Sequence, residues 1–229
     1  VEDWWGKDLP VNLGLYNFGT ITYEYYLDQT VVLEAFKAGE YDFRSENSSK
    51  QWALDYDGPA LENGLIIKTL IPNYSPQRMQ GFYLNLRKNK FKDRTVRQAL
   101  QYVMDFEWMN EKLFYGQYTR TRSFFQNQNL AATGTPGPLE LEYLEPHRNQ
   151  LPEEVFTMEY NPPLGDGTGN SRVMLMKASE LLKEAGWVIQ DGKLVDEYGD
   201  QMTIEILLIS PAFERIAAPV LQSMEQLIC

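Results

Sequence analysis

The sequence predicts an α/β fold, because strand-like and helix-like segments alternate along its 229 residues. Some segments alternate apolar and polar residues with a period of two, which is typical of strands. Others space apolar residues three or four positions apart behind a capping residue, which is typical of amphipathic helices. A chain of this length buries roughly 70% of its extended surface on folding, enough for one large or two small hydrophobic cores.

The first third of the chain predicts a strand, a helix and a second strand. Residues 21–26 show the period-two alternation of a strand. Asp28 is a suitable N-cap for a helix that ends at Gly39, and residues 41–43 form a second short strand-like run. Because a strand, a helix and a strand in succession usually form a right-handed crossover, we expect a parallel sheet here.

The middle of the chain predicts a further strand and two helices. Residues 79–86 form an apolar run suited to a buried or half-buried strand. Asp93 is the expected N-cap of the first helix, and Asp105 that of a second, shorter helix that ends at Gly116. The apolar stripe of the first helix consists of Val96, Ala99, Leu100 and Val103.

Residues 118–170 show no periodicity and predict a long connection, which is usually functional or lies on the surface. The next predicted helix follows a glycine-rich turn and has Asn170 or Ser171 as its N-cap. The apolar stripe expected for this helix is Val173, Met176, Leu181, Leu182 and Ala185.

The last third predicts a hairpin, a strand and a helix. Asp191 and Gly192 separate two short apolar runs, and this pair favours the positive φ angles of a type I′ turn. Residues 202–209 predict a strand. Ser210 and Pro211 predict the start of a final helix, with proline at the first helical position.

Composition limits the function. The chain carries 21 Lys and Arg against 32 Asp and Glu, a formal net charge of −11. This balance argues against nucleic acid and anionic membrane surfaces as partners, because both require a dominant basic face. The sequence contains no apolar run of the roughly 20 residues that a membrane helix needs, so no membrane span is expected in this segment.

The cysteine and histidine content argues against the commonest enzyme sites. Cys229 is the only cysteine and His147 the only histidine. An internal disulfide, a thiolate metal cluster and a histidine-rich zinc site are therefore excluded. His147 stands in a polar stretch typical of a solvated loop, so a catalytic triad built on it is disfavoured. We predict no catalytic residue, no metal and no cofactor.

Five polar residues are candidates for contacts with a ligand. Arg44, Glu46 and Asn47 directly follow a short predicted strand, and ligands of open α/β sheets bind outside the carboxyl ends of the strands. Arg120 and Arg122 stand at the entrance to the long connection, where their guanidinium groups offer a bidentate fork for a ligand carboxylate.

Three segments resemble family 5 of the extracellular solute-binding proteins, the oligopeptide-binding components of ABC importers. Residues 35–43 (AFKAGEYDF) resemble the family's A-F-x-x-G-E-x-D segment. Residues 82–100 resemble its strand followed by F-x-D-x-x-V-R-x-A-L, and residues 181–192 resemble a third segment in the same order. Further details resemble the microcin C and oligopeptide binding proteins of Yej-type importers; they lie in residues 115–118, 120–121, 151–157 and 213–216.

The resemblance implies a partial periplasmic-binding-protein-like fold of type II. Residues 1–78 would then belong to lobe I, residues 79–86 to a strand that crosses the hinge, and residues 87–229 to lobe II. Family members are several hundred residues long, so the chain is expected to be an internal fragment. The acidic residue that captures the peptide amino terminus in the better-known receptors lies outside the matching segment.

The resemblance also implies a function. We expect a periplasmic, non-enzymatic receptor that captures oligopeptides or peptide-like solutes between two lobes and delivers them to ABC permease subunits. Oligosaccharides and metal chelates are alternative ligands for the same architecture. An acidic glycoside hydrolase and a pure protein-interaction module remain alternatives from other classes.

Overall fold

The computed structural model describes residues 3–15 and 17–228. These residues form two compact units, which are described separately. The first unit comprises Val1–Asn47 and Tyr56–Thr69, and the second comprises Ser48–Asp55 and Leu70–Cys229. The chain therefore passes from one unit to the other after residues 47, 55 and 69. The lobe boundary at residue 78 and the hinge role of residues 79–86 stay predictions.

Most of the regular structure is helical. The helices are α1 (Gln29–Lys37), α2 (Ser49–Leu54), α3 (Pro59–Glu62), α4 (Arg94–Gln101), α5 (Phe106–Lys112), α6 (Pro138–Leu144), α7 (Glu154–Thr157), α8 (Arg172–Glu184) and α9 (Glu214–Ile228). Helices α1 and α3 lie in the first unit and the others in the second.

The N-caps predicted from the sequence are confirmed. The Asp28 carboxylate accepts hydrogen bonds from two backbone N–H groups of α1, at 2.8 and 3.0 Å. Asp93 caps α4, Asp105 caps α5 and Ser171 caps α8 in the same way. Each cap satisfies backbone donors that the first helical turn leaves without an intrahelical partner, which contributes about 1 kcal/mol.

The core of the second unit lies between α4, α8 and α9. The predicted stripe of α4 is confirmed, since Val96, Ala99 and Leu100 are all buried. In α8 the buried residues are Met174, Ala178 and Leu182, whereas the side chains of Val173 and Met176, predicted to face the core, are 75% and 55% exposed. The prediction was wrong for these two because α8 carries apolar residues on more than one face.

The predicted hairpin is confirmed. Strands β1 (Val188–Gln190) and β2 (Lys193–Val195) pair antiparallel. Asp191 and Gly192 connect them with φ angles of 51° and 73°. Both angles lie in the left-handed region that a type I′ turn requires.

The other predicted strands are absent from the described part of the chain. Residues 21–26, 41–43 and 79–86 lie outside any strand, so the expected parallel crossover is not formed there. Residues 202–209 are likewise not a strand, although Gln201 forms one antiparallel bridge with the end of β2. A period of two shows which side chains share a face, but a strand also needs a neighbouring strand to complete its hydrogen bonds. Several apolar side chains of these segments are exposed, as at Leu207, which is 92% exposed, whereas Met202 is fully buried in the core.

The long connection also differs from the prediction. Residues 118–170 contain α6, α7 and a 3-10 helix, Glu145–Gln150, on which His147 is exposed. Helix α6 begins with Pro138, and the Glu140 carboxylate accepts a hydrogen bond from the backbone N–H of Gly137 at 2.7 Å. Proline at the first position and glutamate at the third are local helix-start signals that would have predicted α6.

The turn before α8 is held by two carboxylates at the start of α5, which we call the acidic clamp (Asp105 and Glu107). Asp105 accepts a hydrogen bond from the backbone N–H of Gly169 at 3.0 Å. Glu107 accepts one from the backbone N–H of Gly165 at 2.7 Å. Because Asp105 also caps α5, one side chain fixes both the helix start and the distant turn.

We predict that Gly169→Ala destabilises the protein more than Gly167→Ala. Both glycines have left-handed φ angles, +76° and +74°, so both substitutions carry the same backbone cost of about 1–2 kcal/mol. A Cβ atom at Gly169 would lie 2.6 Å from the ring of Trp108, whereas one at Gly167 meets no atom within 4 Å. The steric clash should add about 1–3 kcal/mol, measured by urea unfolding. Equal destabilisation of the two variants would show that the turn does not pack against Trp108.

Candidate ligand-binding residues

Arg44 and Glu46 form a buried ion pair in the first unit. The exposed fractions of their side chains are 8% and 5%. Arg44 Nη2 lies 3.1 Å from Glu46 Oε2, and Arg44 Nε donates a hydrogen bond to the same oxygen at 3.1 Å. Charge and hydrogen bonding therefore act on one carboxylate oxygen.

Two tyrosines complete the pair, and we call the four residues the Arg44 network (Tyr41, Arg44, Glu46 and Tyr56). The Tyr56 hydroxyl donates to Glu46 Oε2 at 3.0 Å and accepts from Arg44 Nε at 3.1 Å. The Tyr41 hydroxyl accepts from Arg44 Nη1 at 3.4 Å and donates to the carbonyl oxygen of Val32 at 2.8 Å. The network thus connects the ion pair to helix α1.

The network connects the residues on either side of the 48–55 segment. The chain leaves the first unit after Asn47 and returns at Tyr56. Arg44 and Glu46 stand directly before the exit, and Tyr56 is the first residue after the return. No local pattern in the sequence indicates the role of Tyr56, because its partner Glu46 stands ten positions earlier, or that of Tyr41, which bonds to Arg44 and to the carbonyl oxygen of Val32.

Burial makes the network sensitive to loss of any one member. Burial opposes the charge of Arg44, but the hydrogen bond with Tyr41 and the pairing with Glu46 outweigh it and raise the pKa of Arg44. Burial and the hydrogen bond to Glu46 raise the pKa of Tyr56 to about 12. Removing one partner of a buried ion pair leaves an uncompensated charge, which costs about 3–5 kcal/mol.

Arg120 lies in the second unit and holds the turn that the acidic clamp also binds. Its guanidinium donates to the carbonyl oxygen of Pro163, and Nη1 lies 3.9 Å from Glu107 Oε1. The group lies over the ring of Phe106, 5.6 Å from its centre. Burial lowers the pKa of Arg120. The guanidinium predicted to bind a ligand carboxylate is thus engaged with the protein's own backbone.

The remaining two candidates are exposed. Asn47 is the last residue of its segment of the first unit, and Arg122 belongs to the second unit. The backbone N–H of Arg122 donates to Gln126 Oε1 at 3.4 Å, and its side chain faces solvent. The structure therefore brings Arg44 and Glu46 together, places Asn47 beside them in sequence, and places Arg120 and Arg122 in the other unit.

Over residues 3–15 and 17–228, no three His, Cys, Asp or Glu residues cluster closely enough to hold a metal ion. Within the same residues, no helix is both long enough and apolar enough to cross a membrane.

We predict that Tyr56→Phe makes stability less dependent on pH at high pH. The folded protein holds the Tyr56 proton more tightly than the unfolded chain does. The part of the free energy of unfolding that comes from this difference is fully present below about pH 10 and is lost as the pH rises to about 12. Urea unfolding of both proteins between about pH 9 and about pH 12 should show the shallower decline in the variant.

Tyr143→Phe provides the control, because Tyr143 is 78% exposed. This variant should show the same decline with pH as the unmodified protein. If Tyr56→Phe also shows that decline, Tyr56 does not titrate as the buried network requires.

Comparison with known proteins identifies the family. A profile of the family described as "Bacterial extracellular solute-binding proteins, family 5 Middle" matches residues 1–228. "Uncharacterized protein YejA" of Escherichia coli is 43% identical over 228 residues, which cover 99% of this chain and 38% of that protein. "Probable peptide-binding protein YejA" of Agrobacterium fabrum is 41% identical over 229 residues, covering 99% of this chain and 37% of that protein.

A third relative carries a different description. "Peptidoglycan-binding protein YepA" of Agrobacterium fabrum is 38% identical over 223 residues, covering 94% of this chain and 36% of that protein. The chain thus spans less than two fifths of the length of these relatives. The family profile matches nearly every residue, which confirms the resemblance of the three sequence segments. This family implies a periplasmic-binding-protein-like fold. The chain therefore belongs to the family 5 bacterial extracellular solute-binding proteins.

Proposed function

We propose that the chain is part of the substrate-binding component of an ABC importer, which captures oligopeptides or peptide-like solutes without transforming them. The observation that carries this proposal is the match of the family profile over residues 1–228. The name of the 41% identical Agrobacterium relative, a probable peptide-binding protein, supports the ligand class. In this proposal the protein acts in the periplasm and its partners are ABC permease subunits.

The exposed candidates are proposed to contact the ligand directly. Asn47 offers an amide that both donates and accepts hydrogen bonds, which suits a peptide main chain. Arg122 offers a solvent-facing guanidinium for a carboxylate of the ligand. Asn47 lies in the first unit and Arg122 in the second, so each contact is proposed independently of the other.

The buried candidates are proposed to act through positioning. Arg44 and Glu46 are buried and paired with each other, and this pairing would fix the backbone that presents Asn47. Arg120 would hold residues 163–169 in place through Pro163. Rigid support of this kind reduces the entropy lost on binding a flexible solute.

A peptide-bearing cell-wall fragment is a second candidate ligand. The observation that favours it is the relative named as a peptidoglycan-binding protein, which is 38% identical over 94% of this chain. Peptidoglycan carries short peptides on a sugar polymer, so both candidates share a peptide moiety. Oligosaccharides without peptide are the contrasting class.

We expect short peptides to raise the melting temperature of purified protein containing these 229 residues. Binding to the folded state alone stabilises it by about 2.7 kcal/mol at a ligand concentration of 100 Kd. Differential scanning fluorimetry should compare a tripeptide-to-hexapeptide pool, a muropeptide and a peptide-free oligosaccharide. A shift with the oligosaccharide and none with either peptide-bearing ligand would contradict the proposed ligand class.

The same assay separates the roles of the residues. Arg122→Ala should reduce the peptide-induced shift without changing the melting temperature of the free protein, because its side chain is exposed. Arg172→Ala is the matched control, since Arg172 is also exposed and forms no ion pair in the described part of the chain. Equal ligand-induced shifts in the two variants would remove Arg122 from the binding site.

A further inference from the structure

We infer that residues 87–97 form a docking surface for an acidic segment of another protein. We call this surface the basic patch; its cationic residues are Arg87, Lys88, Lys90, Lys92, Arg94 and Arg97. Six cationic side chains and one acidic side chain stand within these eleven residues, whereas the whole chain carries 21 cationic against 32 acidic residues. The patch therefore has the opposite charge to the molecule that carries it.

Two of its cationic side chains are used to hold the backbone of the patch. Arg97 Nη1 donates to the carbonyl oxygens of Phe91 and Lys92, at 2.8 and 2.7 Å. Lys90 Nζ donates to the carbonyl oxygen of Thr203. Phe91 is only 7% exposed and packs in the core of the second unit. The backbone between Lys88 and Arg94 is therefore fixed, and the surface exists before any partner arrives.

The other four cationic residues are exposed: Arg87, Lys88, Lys92 and Arg94. Arg87 Nε donates to Asn85 Oδ1 at 3.1 Å, a contact that leaves its charge uncompensated. Lys88 and Lys92 form no ion pair within residues 3–15 and 17–228. The patch thus presents at least three charges that no carboxylate of the described chain neutralises.

The acidic groups near the patch compensate only a small part of its charge. Asp93 lies inside the patch, where its carboxylate accepts a hydrogen bond from the backbone N–H of Thr95 at 2.7 Å as the cap of α4, and it offsets one of the six cationic charges. Glu154 lies at the edge, 3.8 Å from Arg94 Nη1, and both side chains are about half exposed. An exposed pair at this distance is weak, so a better-placed carboxylate of a partner can replace it.

The charge of the rest of the chain selects the kind of partner. Charges in water act over a Debye length of about 8 Å at physiological ionic strength. An extended anionic surface such as a lipid bilayer would face more of the protein than the patch alone, and the chain as a whole, with a net charge of −11, is repelled by it. A short acidic polypeptide segment contacts the patch alone, so we propose that segment as the occupant.

The test uses a carrier protein with an internal loop of eight glutamates, because such a loop offers no free peptide terminus to a peptide-binding site. The same carrier with eight glutamines is the neutral control. Surface plasmon resonance at about 20 mM and about 150 mM NaCl should show binding of the glutamate carrier only, weaker at the higher salt concentration. Failure of the proposed peptide binding would leave this result unchanged.

Charge-matched variants locate the binding. Lys88→Gln with Lys92→Gln should weaken binding of the glutamate carrier about threefold to tenfold. Lys183→Gln with Lys193→Gln removes the same charge at exposed positions outside the patch and should leave the affinity unchanged. Equal weakening by the two double variants, or no binding of the glutamate carrier, would overturn the inference. Binding to phosphatidylglycerol vesicles in place of the glutamate carrier would overturn it in favour of a membrane.

Discussion

The contact between α4 and α8 is the packing on which the second unit depends. Ala99 of α4 and Ala178 of α8 are both fully buried and belong to one hydrophobic cluster. Small side chains at such positions let two helices approach closely, so that larger neighbours such as Val96 and Leu182 interlock around them. A larger residue at either alanine would force the helices apart, and the hairpin and α9 pack against the same cluster.

Around this core, several irregular segments are held by side chains that bond to backbone groups. Asp105 and Glu107 bind the backbone N–H groups of the turn before α8, and Arg120 binds a carbonyl oxygen of the same segment. Arg97 binds two carbonyl oxygens at the start of α4. The described part of the chain contains a single two-stranded sheet. Backbone groups that no strand pairs need other hydrogen-bond partners, and these side chains supply some of them.

The two units use their charged residues differently. In the first unit, Arg44 and Glu46 are buried and paired with each other, so their charges contribute to local rigidity. In the second unit, Lys88 and Lys92 stay exposed on a backbone that buried groups hold in place. The first arrangement suits the precise support of a binding surface, and the second suits electrostatic attraction of a partner. The difference is one of burial: a buried charge needs a partner within the protein, whereas an exposed charge is free to attract a partner from solution.

Local signals in the sequence determined the helix starts and the hairpin. Asp28, Asp93, Asp105 and Ser171 cap helices because the capping hydrogen bond joins residues two or three positions apart. The Asp191–Gly192 turn likewise needs only its own two φ angles. Motif order also identified the family, since three segments at compatible spacing are visible without a structure.

Only the tertiary structure decided which apolar runs pair, which helix face is buried and what the candidate arginines bind. Residues 21–26 have the pattern of a strand, but a strand exists only where a neighbour accepts its hydrogen bonds. The burial of Met174 in place of Val173 depends on where α4 lies against α8. Arg44 meets Tyr56 across twelve residues and Arg120 meets Pro163 across forty-three, distances in sequence over which no periodic pattern carries information.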